Sequence, residues 1–594
     1  MNSKNAATAN MNWGVIGNGQ SAALVSEKGS IDWCCLPAFD SPSVFAKLLD
    51  DNIGGHFGLR LKGRKTTTSQ EYLPQTNILR TVFDNGTDAL EVLDFMPRYK
   101  TSYETICPPD IVRYLRPLRG KPALVCDYQP KLGYAKDVTE TNEHDEYLKS
   151  ACAKPSYESI YLYSNLPLSS IANGKAIPVN DESYLWLSYN DKIERPCLEL
   201  TRLQFERTKV YWMDWVDQTV AFARWNDTIE RSMLVLKLLA YQNTGAVLAA
   251  ITTSLPEDIG SVRNWDYRFC WLRDASMVVK IFTQLGHYRV ASRYLNFLLD
   301  VIPYKDENVQ IMYGIGRQKQ LKEFELPWLS GYENSAPVRV GNAAYKQKQH
   351  DIYGFVLDTI YQRVADHPGS IDNPEGLWTM VRTMVRHVER QWRKPDAGIW
   401  EIRGEKKHFV FSKVLCWVAV DRAIKIAELF HKQSYVEQWA PLRDEIFKQV
   451  MLKGYNPDID AFSQSYGDEY MDASNLLMEH YGMVRADDPR YVNTVNRCYD
   501  ELCKDGLMFR YRNTDDFGEP HTAFTVCTFW MIKSLHRIGR TELAAEMFES
   551  VVQSCNHLGL LSEDMDFESR RLLGNFPQGY SHLALIDTAI ALSE

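Results

Sequence analysis

Two glutamates stand in settings that suit acid–base chemistry: Glu401, within Gly398-Ile399-Trp400-Glu401-Ile402-Arg403-Gly404, and Glu563, within Leu560-Leu561-Ser562-Glu563-Asp564-Met565-Asp566. A carboxyl pair facing each other across a pocket can cleave a glycosidic bond. One carboxyl protonates the leaving oxygen, while the other attacks the sugar or, at a separation of roughly 6.5 to 9.5 Å, activates water. Trp400 offers an apolar wall that would keep Glu401 protonated, the kind of environment that separates an acid from a base. The chain holds 76 acidic residues, most of which must be solvated surface charges. The weight therefore rests on the pair sharing one face of the fold.

A third segment, Arg263-Asn264-Trp265-Asp266-Tyr267-Arg268-Phe269-Cys270-Trp271-Leu272-Arg273-Asp274, mixes planar aromatics with arginine and aspartate. Sugars present apolar CH faces to rings and hydroxyls to charged hydrogen-bonding groups, so the mixture suits them. Asp266 and Arg268 read as a buried brace. Arg273 and Asp274, where a helix begins, read as ligand contacts.

The elements that must position these residues fall into two parts. Residues 1–215 read as an antiparallel β-sandwich of short Val/Ile/Tyr/Trp-rich runs, broken by Lys28-Gly29-Ser30, Asp84-Asn85-Gly86-Thr87 and Asn173-Gly174. Trp212 to Arg231 reads as a helical connector, with the linker itself at 216–228. Residues 229–594 carry about twelve amphipathic segments, at 229–242, 275–286, 289–302, 351–366, 375–392, 412–430, 434–453, 473–484, 489–502, 524–538, 541–556 and 581–593. Alternating directions make six hairpins in a ring. The long connections, at 257–274, 325–350, 393–411, 455–472, 503–523 and 557–580, then emerge at one end, whereas those near 287, 368, 432, 487 and 540 are mostly short. A pocket at the elaborated end is the expected active site.

Asn264-Trp265-Asp266-Tyr267-Arg268 with Trp271-Leu272-Arg273-Asp274, followed by the Glu401 segment, resembles glycoside hydrolase family 15. The likeness runs from Gly14 to Phe45, with Ser30-Ile31-Asp32-Trp33 and Phe39-Asp40-Ser41-Pro42-Ser43, through Pro337-Val338-Arg339-Val340-Gly341-Asn342-Ala343-Ala344 and Gln464-Ser465-Tyr466-Gly467. It ends at Leu573-Gly574-Asn575-Phe576-Pro577-Gln578 with Ser581-His582. The resemblance implies a β-super-sandwich followed by an (α/α)6 barrel, and hydrolysis of terminal α-linked glucose with inversion. By position it makes Glu401 the acid and Glu563 the base, and gives Arg273, Asp274 and Arg510 to the glucose of the cleaved unit. Trp271, Trp400, Arg339 and Tyr332 are expected as further substrate contacts. The sequence departs from the family where Ala336 precedes Pro337 and at Pro520-His521-Thr522 before Ala523-Phe524. The linkage therefore stays open near Tyr332, Ala336 and His521. The expected substrate is an α-glucan such as glycogen, starch or maltooligosaccharides. The alternatives are a trehalase or α-1,6-glucosidase on the same scaffold, a phosphorylase, and a non-catalytic glucan-binding protein.

Composition narrows the remainder. A length of 594 residues, 45% hydrophobic and 24% charged, fits a multidomain globular enzyme. A net charge of -9 without a Lys/Arg block makes nucleic acid an unlooked-for partner. Met1 to Asn12 is polar and no run approaches the ~20 apolar residues that span a bilayer, so no membrane partner and a cytoplasmic location are expected by default. Signal-independent export leaves no such mark, and the oligomeric state is not written in the sequence. The twelve cysteines read as reduced thiols, and no Cys/His spacing fits zinc. No cofactor and no metal are expected. Gly17-Asn18-Gly19-Gln20-Ser21-Ala22 mimics a dinucleotide-binding pattern, but the turn at Lys28-Gly29-Ser30 follows too soon for a helix and crossover, so a β-hairpin is expected there.

Overall fold

The computed structural model describes residues 10–63, 65–152, 158–302, 309–366 and 371–593. Most of the polar N-terminus and part of the turn expected near 368 lie outside them. The N-terminal part is two large antiparallel sheets with a small two-stranded ladder between Tyr99–Lys100 and Thr105–Ile106. One runs, in spatial order, Trp13–Gly17, Ala22–Ser26, Ile31–Cys35, His56–Leu61, Ala123–Gln129 and Ile177–Pro178, with Ser43–Phe45 paired to Ile31–Cys35. The other has eight strands, from Thr139–Glu143 at one edge to Thr67–Tyr72 at the other. Gly29 and Gly86 take positive φ in hairpin turns, as their turn signals require, and Gly174 does so after a short helix. The Gly17–Ala22 segment is a hairpin turn as expected, with Gly17 opposite Ala22 and no helix after it.

Arg113 and Asp94 pin the sheets together. Both are fully buried, and Arg113 donates to both Asp94 oxygens at 2.8 and 3.1 Å and to the carbonyls of Phe57 and Gly29 at 2.7 Å. The other face of the eight-stranded sheet is covered by the helix Leu198–Val216, whose Phe205 packs against Phe95 and Tyr114. This is the connector, and it corrects the expected linker: residues 217–225 are non-helical. The helix lies where an apolar sheet face needs a cover. Covered on both faces, Ala89–Phe95 and Ser183–Tyr189 are buried at every residue, while the edge strand Thr67–Tyr72 alternates between exposed and half-buried.

The C-terminal part is an (α/α)6 barrel. Leu272–Gln284, Ile352–Asp366, Val410–Leu429, the 3-10 turn Ala473–Met478, Thr525–Arg537 and Gly579–Ala591 contact one another in succession, and the last packs back on the first. Val410–Leu429 is buried on nearly all sides, as an inner helix must be, whereas Gln433–Lys453 in the outer ring buries only Trp439, Ile446 and Val450. The expected helix 473–484 is a 3-10 turn followed by non-helical turns. Asp472 accepts from Ser474 N, and the Asn475 side chain donates to the carbonyls of Phe462 and Ser463. Such side-chain bonds to the backbone compete with a regular α-helix.

Candidate active site

The loops at one end of the barrel enclose a pocket lined at its inner end by Glu257, Tyr267, Arg273, Trp400, Glu401, Arg510 and Tyr580. The first helical turn carries Arg273 inward, where Nε donates to Asp274 Oδ1 at 2.6 Å and Nη1 donates to the carbonyl of Ile399 at 2.7 Å. That second bond ties the glucose-binding candidates to the loop bearing Glu401. The same guanidinium lies 5.5 Å from the Tyr580 ring centroid and 3.9 Å from Glu401 Oε1.

Glu401 takes φ 60° in a tight turn begun by Gly398 at φ 68°. A left-handed non-glycine residue stores strain, and such residues gather at functional sites. Its carbonyl accepts from Gln347 Nε2 at 2.9 Å, and its Oε1 accepts from Trp271 Nε1 at 2.6 Å. Burial raises its carboxyl above the ordinary range, opposed by the Arg273 charge and the Trp271 N–H. Trp400 donates Nε1 to both oxygens of Asp472 at 3.0 Å, and its ring packs against Phe524 and Trp530, fixing the wall beside Glu401.

Glu563 is held from the opposite side. Asp564–Met565 pairs with Ala523–Phe524 and with Leu572–Leu573, so two elaborated loops meet at its backbone. Thr525 N donates to the Glu563 carbonyl, and Glu563 N donates to the Asn575 carbonyl. Gly574, at φ 73°, lies so close that a Cβ there would sit 2.8 Å from Glu563 Cβ. Oε1 accepts from the Tyr267 hydroxyl at 2.5 Å, and among the described residues Oε2 has no hydrogen bond. Burial and the neighbouring Glu257 push Glu563 up to about 8, against the Tyr267 hydroxyl and Arg510. Burial and the Glu563 charge likewise hold Asp564 well above the usual carboxylate range.

Not every expected contact reaches the pocket. Glu401, Trp400, Arg273 and Arg510 line it, while Glu563, Trp271 and Asp274 stand one layer behind, bonded to residues at the site. Arg339 stacks under Trp265 at 4.6 Å and donates to the carbonyls of Val262 and Asn264, so it props the wall from behind. Tyr332 lies elsewhere, lining a cleft between sandwich and barrel, where Arg571 donates to its hydroxyl at 3.3 Å. Asp266 and Arg268 form the expected brace: both are fully buried, 2.7 Å apart, and Arg268 donates to the Ser41 carbonyl of the sandwich.

Sequence reasoning passed over Glu257 and Tyr580 and gave Tyr267 no role. Glu257 opens the first elaborated loop and pairs with Arg510 at 2.9 Å. Its only sequence signal was a carboxylate on that loop, which many acidic residues share.

An (α/α)6 barrel whose loops bring one clamped carboxylate, Glu401, to a pocket and hold a second, Glu563, one layer behind it on the pocket-lining Tyr267 has the arrangement of a glycoside hydrolase. Residues 223–590 match the model of the glycosyl hydrolases family 15, and residues 4–164 match the trehalase-like N-terminal model. The chain belongs to glycosyl hydrolases family 15. It is 36% identical to a trehalase of Mycolicibacterium smegmatis, over 97% of this chain and 90% of that protein. It is 35% identical to a trehalase of Thermoplasma volcanium, over 98% and 93%, and to trehalase 1 of Sulfolobus acidocaldarius, over 98% of each. Among solved structures, a bacterial glucoamylase in complex with acarbose superposes with a TM-score of 0.71 at 14% identity, covering 99% of this chain and 94% of that one. At that identity the likeness concerns the fold.

Proposed function

We propose that this family 15 hydrolase cleaves α,α-trehalose with inversion, Glu401 acting as general acid and Glu563 as general base. The observation that carries the chemistry is the double clamp. Trp271 and Tyr267 have ring centroids 5.2 Å apart, and one bonds Glu401 while the other bonds Glu563, so a single loop holds both carboxyls at one site. Glu401 protonates the glycosidic oxygen. Glu563, through Oε2, takes a proton from the water that attacks the anomeric carbon, and Arg273 with Arg510 holds the glucose being transferred.

The relatives support trehalose as the substrate. Proteins 35% to 36% identical along nearly the whole chain are named trehalases. Trehalose therefore moves ahead of the α-glucans put first from sequence, for which the glucoamylase match supports only the scaffold.

Glucose release by the purified protein is measured on trehalose, maltose, isomaltose and glycogen, with NMR following the anomers. Inverting cleavage of trehalose yields α- and β-glucose in equal amounts at first, the β anomer from the attacked ring and the α anomer from the leaving ring. Initial α-glucose alone would mean retention and would remove Glu563 as the base. Release from glycogen but not from trehalose would return the substrate to the α-glucans.

A further inference from the structure

The mouth of the pocket is built differently from its inner end. Arg263, Trp265, Arg403, Asp515, Asp516 and Phe517 line it, supplied by three elaborated loops. Asp515 is an anchor. It accepts from Arg263 Nη2 at 2.6 Å, from the Tyr511 hydroxyl at 2.5 Å and from Phe517 N at 2.8 Å, while Arg263 also donates to the Gly518 carbonyl at 2.9 Å. The loop tip is thus fixed over the segment that carries Glu401. Gly404 lies directly beneath: a Cβ there would collide with Asp516 Oδ1.

Two side chains at this mouth keep hydrogen-bonding capacity in reserve. Arg403 stacks on Trp265 at 4.2 Å and makes an ion pair to Glu323 at 3.1 Å, which leaves other N–H groups of its fork unengaged. Asp516, among the described residues, has no hydrogen-bond or ion-pair partner. Beside them Phe517, 36% exposed, offers an apolar edge 5.4 Å from Trp265. A donor fork, a free carboxylate and a ring, two residues beyond the proposed acid and across from it, match a hexose, which donates and accepts at its hydroxyls and shows apolar CH groups between them.

We propose that Arg403, Asp516 and Phe517 form the subsite for the second, leaving glucose ring of a disaccharide substrate. It rests on the trehalose assignment above. Asp516 accepts from hydroxyls of that ring, Arg403 donates to them and Phe517 covers its CH face, so these residues set which leaving group is accepted while the inner end grips the glucose being transferred.

The test compares kcat/KM on trehalose with kcat/KM on α-glucosyl fluoride, which has no second ring, in Asp516→Ala, Arg403→Gln and Phe517→Ala. Fluoride turnover reports folded, active enzyme. The trehalose-to-fluoride ratio is expected to fall about tenfold in Asp516→Ala and Arg403→Gln, the order of effect of losing one charged hydrogen bond, and to fall in Phe517→Ala through KM. A ratio unchanged in all three, whether both substrates lose together or neither does, overturns the subsite. Wild-type protein that turns over the fluoride but not trehalose sinks the trehalose assignment instead; the same ratio taken with maltose then decides the subsite.

Discussion

The Tyr267 hydroxyl donates to Glu563 Oε1 at 2.5 Å, across 296 residues of chain. That bond favours the ionised form of a carboxyl that burial and Glu257 drive the other way. The base can act only when ionised, so an edge of the pH profile of kcat/KM belongs to Glu563 and lies near 8.

Removing the donor in Tyr267→Phe raises the Glu563 pKa, and that edge is expected to move upward by about one pH unit, the equivalent of roughly 1.4 kcal/mol. Activity at neutral pH falls with it, because the ionised fraction shrinks. A profile that merely scales down without shifting would mean that Tyr267 acts on substrate rather than on Glu563.

Glu257→Gln works in the opposite direction. It removes the like charge that ranks next after burial in raising Glu563, and it releases Arg510 from a 2.9 Å ion pair. The same edge should move down. If it stays near 8 in this variant, burial alone sets the titration and Glu257 serves only to place Arg510.

Acid and base can be separated by leaving group. Glu401→Gln loses orders of magnitude on trehalose but keeps most of its turnover on α-glucosyl fluoride, since fluoride departs with little protonation. Glu563→Gln loses both, because water still needs its base. Equal loss on the two substrates in Glu401→Gln would contradict its role as acid.

Arg268→Met should destabilise the seam between sandwich and barrel. It leaves Asp266 as a fully buried carboxylate without its 2.7 Å partner, and breaking a buried pair in this way costs roughly 3–5 kcal/mol. The thermal midpoint drops sharply. Pairing the change with Asp266→Asn, which removes the stranded charge, recovers part of the loss. A midpoint within a degree of wild type would show that the brace is dispensable.

Much of this architecture was legible in the sequence because its signals are local. Helical periodicity marked the rings, turn residues marked the hairpins, and alternating helix direction alone put the Glu401 and Glu563 loops on one face. The brace of Asp266 and Arg268 was equally readable, since it spans two residues. What only the tertiary structure decided depends on ring closure, which no spacing records. Closure set Tyr267 on Glu563 and Glu257 on Arg510, and put Arg339 behind Trp265 instead of in the pocket. It also sent Tyr332 to another cleft, and side-chain bonds to the backbone turned the segment after Asp472 into a 3-10 turn. The placements of Tyr267, Glu257, Arg339 and Tyr332 turn on contacts between distant loops, and the 3-10 turn on side-chain bonds within its own loop. Periodicity says which side of an element is buried; only packing says what meets it there.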